Sequence, residues 1–182
     1  MSRNVCLTGM PGVGKSSVAE IVGDRLGRRV ADTDREIERW TGRTIPELFE
    51  SEGEAGFRAL ERQVVAELSR FNDLVLSLGG GVVLDDANVT ELLLTGVLLH
   101  LDASPEILAD RLRDGEVRPL LAGDVEAKLR ETYAARDERY RTVADVTLDA
   151  SRPVTEVAED AIRWALQQGD VLTPSEHEQV MT

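Results

Sequence analysis

Gly9-Met10-Pro11-Gly12-Val13-Gly14-Lys15-Ser16 decides how this chain is read. The octet satisfies G-x-x-x-x-G-K-[ST] at every fixed position. Its flanks agree with it. Residues 5–8 before it (Val-Cys-Leu-Thr) are a short apolar run suited to a buried strand. After it, Val18, Ile21, Val22 and Leu26 recur at helical spacing, and Gly27 closes the helix. A strand, a glycine-rich turn and a helix start make a phosphate cradle. Small residues let successive backbone N–H groups turn inward, and the helix N-terminus adds partial positive charge. Lys15 would bring a full charge to the β- and γ-phosphates, and the Ser16 hydroxyl would ligate Mg²⁺. The motif alone does not separate kinases, GTPases and motor ATPases. No Asn-Lys-x-Asp sequence for reading guanine occurs, and the chain is small for a motor. A compact kinase acting on a small molecule is favoured.

Outward from the loop, strand and helix alternate. Residues 29–31 read as a strand, 33–40 as a helix stopped by Gly42, 45–50 as a short helix and 53–71 as a longer one. Phe57, Leu60, Val64, Val65 and Leu68 give the longer helix its apolar face. Residues 74–78 form a strand that runs into Gly79-Gly80-Gly81. A helix begins near Asp86, and Gly96 turns the chain into a strand over 97–101. Ser104 and Pro105 start a helix that runs to about Arg113. Residues 114–124 are irregular, 125–142 helical, 146–148 a strand and 153–168 the final helix. Residues 169–182 are polar and acidic without periodicity, so a mobile tail is expected. Five short strands alternating with helices imply an α/β domain over 1–168, its parallel sheet covered by helices on both faces.

Composition sets limits on partners. The chain has 182 residues, 42% hydrophobic and 30% charged, enough for one soluble domain with its own core. A net charge of −13 repels nucleic acid, so an anionic ligand must be drawn in by a local basic pocket. Cys6 is the single cysteine, which rules out an intramolecular disulfide and reads as a small buried apolar residue in a reducing compartment. The most apolar stretch, residues 92–101, is interrupted by Thr95, Gly96 and His100 and is too short to span a bilayer. The N-terminus lacks the long apolar run of an export signal. A cytoplasmic monomer without membrane or nucleic-acid contacts is expected.

Several side chains belong beside the loop. Asp32-Thr33-Asp34 follows the second strand at the sheet edge that carries the phosphate loop. One carboxylate suits Mg²⁺ and the other a hydroxyl proton, while Asp32 or Thr33 suits equally the cap of the next helix. Asp102, ending residues 97–102, has the look of a metal-binding strand end. Its place before Ser104 and Pro105 favours a role in starting the next helix. His100 reads as a packed core histidine. Arg58 sits on a helix with Glu54 and Glu61 at supporting spacing. Arg118 opens Arg118-Pro119-Leu120-Leu121 in the irregular segment, and Arg136 lies on the following helix. A mobile charged segment over the loop would exclude water and neutralise a transferring phosphate. Paired arginines fit a carboxylate and a nucleotide phosphate equally well.

Taken together, the Gly9–Ser16 loop, Asp32-Thr33-Asp34, Phe57-Arg58 with Glu61, Leu78-Gly79-Gly80-Gly81, Arg118-Pro119-Leu120-Leu121 and Arg136 with Tyr140 resemble the shikimate kinases over residues 3–168. The resemblance implies a P-loop kinase of the nucleoside-monophosphate-kinase type, a three-layer fold with a five-stranded parallel sheet. It implies substrate-binding helices at about 33–61 and a lid at about 114–124. It implies ATP-dependent phosphorylation of the shikimate 3-hydroxyl on the route to chorismate and aromatic amino acids. By that resemblance Asp34 would bind shikimate hydroxyls and be the candidate base. Arg58 and Arg136 would clamp the carboxylate, and Gly79, Gly80 and Gly81 would line the substrate. Phe49 and Phe57 would wall the pocket, and Asp32 with Ser16 would hold Mg²⁺. Gly12, Val13, Gly14, Lys15, Ser16 and Ser17 would cradle ATP. Lys15 and Arg118 would serve the transferring phosphate, with Arg111 and Arg152 near adenine. The chain departs from the family in reading Arg136-Asp137-Glu138-Arg139-Tyr140, without the proline that often follows the carboxylate-binding arginine. Other small-molecule kinases of this fold, acting on gluconate or nucleoside monophosphates, and a non-catalytic nucleotide-binding module are the rival readings.

Overall fold

A computed structural model describes residues 2–114 and 125–181. Five parallel strands, β1 (Asn4–Gly9), β2 (Arg29–Asp32), β3 (Leu74–Ser77), β4 (Gly96–Asp102) and β5 (Val146–Asp149), form one sheet in the order β2-β3-β1-β4-β5. The helices are α1 (Lys15–Leu26), α2 (Thr33–Thr41), α3 (Ile45–Leu68), α4 (Asp86–Thr95), α5 (Pro105–Asp114), α6 (Val125–Val143), α7 (Val154–Gln167) and α8 (Pro174–Met181). Every residue of β1 and β3 is buried, and in β4 all but Asp102. Successive strand residues face opposite ways, so complete burial means that both faces are covered. The edge strands β2 and β5 mix buried and open positions, as their place in the order requires.

Parallel pairing brings the C-terminal strand ends to one edge. Asp32 of β2 stands opposite Ser77 of β3, and Gly9 of β1 opposite Leu101 of β4. The phosphate loop, the Asp-Thr-Asp run and the glycine triplet all leave the sheet there. The two helices expected over 45–50 and 53–71 are halves of α3, which ends at Leu68 and is kinked at Gly53 (φ 68°, ψ −179°). Thr44 and Glu47 form a reciprocal cap at its start. The glycine triplet leads into a short 3₁₀ turn, Val82–Leu84, that the sequence reading did not anticipate. The expected lid over 114–124 lies outside the described residues apart from Asp114, the last residue of α5.

The mobile tail expected over 169–182 is corrected by the structure over residues 169–181. Val171 and Leu172 are buried, and α8 follows them. Thr173-Pro174-Ser175-Glu176 starts α8 as a capping box: the Glu176 carboxylate accepts from the Thr173 N–H at 2.6 Å, and the Glu176 N–H donates to the Thr173 hydroxyl at 3.3 Å. Arg28, whose side chain is almost wholly enclosed, donates to both Glu176 carboxylate oxygens (2.6 and 3.0 Å) and to the Arg3 and Val171 carbonyls (2.6 and 2.7 Å). Breaking a buried pair leaves one charge uncompensated, so Glu176→Ala should cost about 3 kcal/mol of folding stability. Urea unfolding measures it, and an unchanged midpoint would show that the tail does not contribute.

Candidate active site

The loop between β1 and α1 is anchored by Met10 and Val13, both buried. Gly12 (φ 81°) and Gly14 (φ 100°) take the left-handed conformations that let it close. No side chain caps α1, and its first turn holds no acid, so the leading N–H groups are left to an anion. The Lys15 ammonium folds back over the loop and donates to the Gly9 and Met10 carbonyls, each at 3.0 Å. Burial pushes its pKa down to about 8, and the nearby Asp34 and Asp32 carboxylates oppose that fall. Ser17, one residue beyond Ser16, is exposed.

Asp32 takes the capping role that its position suggested, and its second oxygen faces the phosphate loop. Its Oδ1 caps α2, accepting from the Asp34 and Arg35 N–H groups at 3.1 and 3.3 Å. Its Oδ2 accepts from the Ser16 hydroxyl at 3.0 Å. The Ser77 hydroxyl, which sequence reasoning missed, lies 3.2 Å from that of Ser16. The available signal was a lone polar residue closing the apolar run Leu-Val-Leu-Ser. Two hydroxyls and a carboxylate converge, an all-oxygen donor set of the kind a hard divalent cation takes.

One strand away, Asp34 and the glycine triplet meet. The Thr33 hydroxyl accepts from the Gly79 N–H at 2.8 Å and fixes the turn against α2. A Cβ on Gly79 would lie 2.5 Å from Asp34 Oδ1, and one on Gly81 would overlap the Arg58 guanidinium. A side chain at either position would push these charged groups aside. The Gly80 carbonyl accepts from Arg136 Nη1 at 3.3 Å and from the Tyr140 hydroxyl at 2.6 Å. Among the described residues, the Gly80 and Gly81 N–H groups meet no acceptor. Arg58 is steered by the buried Glu61, whose two carboxylate oxygens accept from Nη1 at 2.9 Å each. Phe57 lies under Arg58, 5.4 Å from its guanidinium carbon to the ring centre, and stacks on Phe49 at 4.4 Å. Burial and the Asp32 charge raise the Asp34 pKa, while Lys15 and Arg58 hold it back. The Asp34 carboxylate and two guanidinium groups therefore gather along the glycine triplet, which lies against Pro11 of the phosphate loop.

The remaining candidates divide. Arg111 of α5 ties the loop to residues 150–152, donating to the carbonyls of Val13 (3.3 Å), Ala150 (2.7 Å), Ser151 (3.2 Å) and Arg152 (3.3 Å). The Arg152 guanidinium is engaged by Asp149, Glu156 and Asp160, and that acidic grouping is the setting the structure gives it. Arg118 lies outside the described residues. Ser104 does cap α5, at 3.5 Å from the Ile107 N–H. Asp102, however, turns to α6, where it accepts from the Tyr133 hydroxyl (3.0 Å) and pairs with Arg141. His100 is buried, as expected.

Known proteins resemble this chain in sequence and fold. The shikimate kinase family model matches residues 11–166. The shikimate kinase of Thiobacillus denitrificans is 47% identical over 150 residues, 82% of each chain. Among solved structures, shikimate kinase from Acinetobacter baumannii in complex with shikimate superposes with a TM-score of 0.84 at 37% identity, covering 91% of this chain and 94% of that one. A gluconokinase from Sinorhizobium meliloti, at 18% identity and TM-score 0.58, covering 88% and 90%, shares the fold alone. A phosphate loop facing a carboxylate and two guanidinium groups across a glycine triplet, a match of this length and likeness of this degree lead to one conclusion: the chain belongs to the shikimate kinase family.

Proposed function

We propose that the chain transfers the γ-phosphoryl group of ATP to the 3-hydroxyl of shikimate, giving shikimate 3-phosphate and ADP on the route to chorismate. The observation that carries this is the convergence of Asp34, Arg58 and Arg136 on Gly79–Gly81 beside Lys15. Arg58 and Arg136 read the carboxylate of the cyclohexene acid, while Asp34 and the glycine N–H groups read its hydroxyls. Phosphoryl transfer needs alignment and charge neutralisation more than covalent help. Asp34 holds the 3-hydroxyl and accepts its proton, Lys15 neutralises the β- and γ-oxygens, and Arg118 from the segment after α5 adds a second cation. Ser16, Asp32 and Ser77 have the oxygen donors to hold Mg²⁺. When bound, the ion would supply neutralising charge to the phosphates. A site of this kind rejects analogues lacking a hydroxyl, because buried polar groups would be left unpaired.

ADP release measured with shikimate, gluconate and nucleoside monophosphates tests the assignment. Acceptor-dependent release is expected with shikimate alone, and faster release with gluconate or a nucleotide would overturn it. No acceptor-dependent release at all would point to a nucleotide-binding module. In the same assay Arg58→Ala should raise KM for shikimate about 100-fold through loss of a charge-assisted clamp. KM for ATP should stay constant. A normal shikimate KM would remove Arg58 from the clamp.

A further inference from the structure

Resting on the reaction proposed above, we infer that Tyr140 is a positioning residue of the substrate site: by holding the Gly80 carbonyl together with Arg136, it sets the direction of the Gly81 N–H and steadies Arg136 for the substrate carboxylate. Tyr140 is 1% exposed, the largest of the fully enclosed side chains among the described residues. A buried phenol must spend its hydroxyl on a partner. Tyr140 donates its hydroxyl proton to the Gly80 carbonyl, at 2.6 Å, and Arg136 of the same helix also engages the phenol oxygen. The His100 ring backs it, stacked at 5.2 Å between centroids with 24° between planes, and Thr147 Oγ1 lies 3.5 Å from His100 Nδ1. Strand β4 and its edge neighbour β5 thus brace the phenol from behind.

The consequence follows from peptide geometry. Across a trans peptide the carbonyl and the next N–H point in opposite directions. With the Gly80 carbonyl drawn toward α6 by Tyr140, the Gly81 N–H is directed away from α6, and the Arg58 guanidinium lies against Gly81. Arg136 is one helical turn before Tyr140, so both reach the same carbonyl. The short Tyr140 bond satisfies that carbonyl and leaves Arg136 a longer contact of 3.3 Å. Without the phenol hydroxyl the Gly80 carbonyl would lose its shorter bond and Arg136 a neighbouring partner, so the Gly81 N–H and the guanidinium would both lose their aim.

Tyr140→Phe tests this by keeping the ring and removing the hydroxyl. KM for shikimate should rise about tenfold, with kcat and KM for ATP within about threefold of wild type. An unchanged shikimate KM would overturn the assignment, as would parallel increases in both KM values with a lowered melting temperature, the mark of general loosening. The two tyrosines of the chain allow a second reading that needs no loss of packing. In protein labelled with 3-fluorotyrosine, the ¹⁹F signal that survives Tyr133→Phe belongs to Tyr140. It should shift on adding shikimate and stay in place with ATP alone, and a signal indifferent to shikimate would also sink the inference. Wild-type protein that does not turn over shikimate would instead defeat the functional reading beneath it.

Discussion

Asp34→Asn is expected to lower kcat for shikimate by about 10²- to 10⁴-fold, the range a positioned general base contributes. Asparagine keeps the size of the side chain and one oxygen acceptor, so KM should move only a few-fold. The carboxylate that is lost lies against Gly79, at the N-terminal turn of α2, where Lys15, Arg58, Asp32 and Glu38 all act on it. Burial and Asp32 make it a stronger base than an ordinary aspartate. The sign of the pH effect follows. Asp34 acts as the carboxylate, so kcat/KM should fall as pH drops through its raised pKa, and that acid limb should begin above the usual aspartate range of about 3.9. The asparagine variant should lose this limb. Steady-state rates across pH read both effects. A variant retaining more than a tenth of wild-type kcat, with its acid limb intact, would remove Asp34 from the proton transfer.

The parts of this site that could be read from sequence are those whose chemistry is confined to a short stretch. Gly9–Ser16, Asp32-Thr33-Asp34 and the glycine triplet each fix their geometry within a few residues of a strand end, and parallel pairing then delivers them to one edge. Ser77 escaped because its one local signal, a polar residue closing an apolar run, does not say what the hydroxyl meets. Its role exists only through the register that sets β2 beside β3 and the hydroxyl contact to Ser16. Asp102 escaped for the same reason: its partners Tyr133 and Arg141 come from α6, not from the helix it precedes. The tail shows a different failure. An eight-residue helix has little stability of its own. What holds α8 is a buried arginine contributed from the turn between α1 and β2, a contact that polarity and periodicity do not reveal. Arg152 was placed near adenine by resemblance alone, and in the structure Asp160, eight residues on, claims its guanidinium.

Lys15→Ala should reduce kcat/KM by at least about 10³-fold while leaving the fold intact, because it removes the full charge aimed at the transferring phosphate. The fold survives because the Lys15 ammonium contacts only the loop carbonyls of Gly9 and Met10, whereas Met10 and Val13 anchor the loop by burial. The wild-type pH profile gives a finer test of the same charge. Burial brings Lys15 from 10.5 to about 8. Only the protonated form can neutralise phosphate, so kcat/KM for ATP should be flat below pH 8 on the alkaline side and fall about tenfold per unit above it. Stability moves the other way. The folded state disfavours the buried ammonium, so the folding penalty from Lys15 is full below pH 8 and is relieved as pH rises from 8 toward 10.5. Loss of activity in that window should therefore occur without loss of structure, which circular dichroism followed beside the rate can establish. A profile that stays flat to pH 10 would mean that the Lys15 ammonium keeps its proton despite its burial. In that case the carboxylates of Asp34 and Asp32, rather than the enclosed setting, would govern the charge beside the loop.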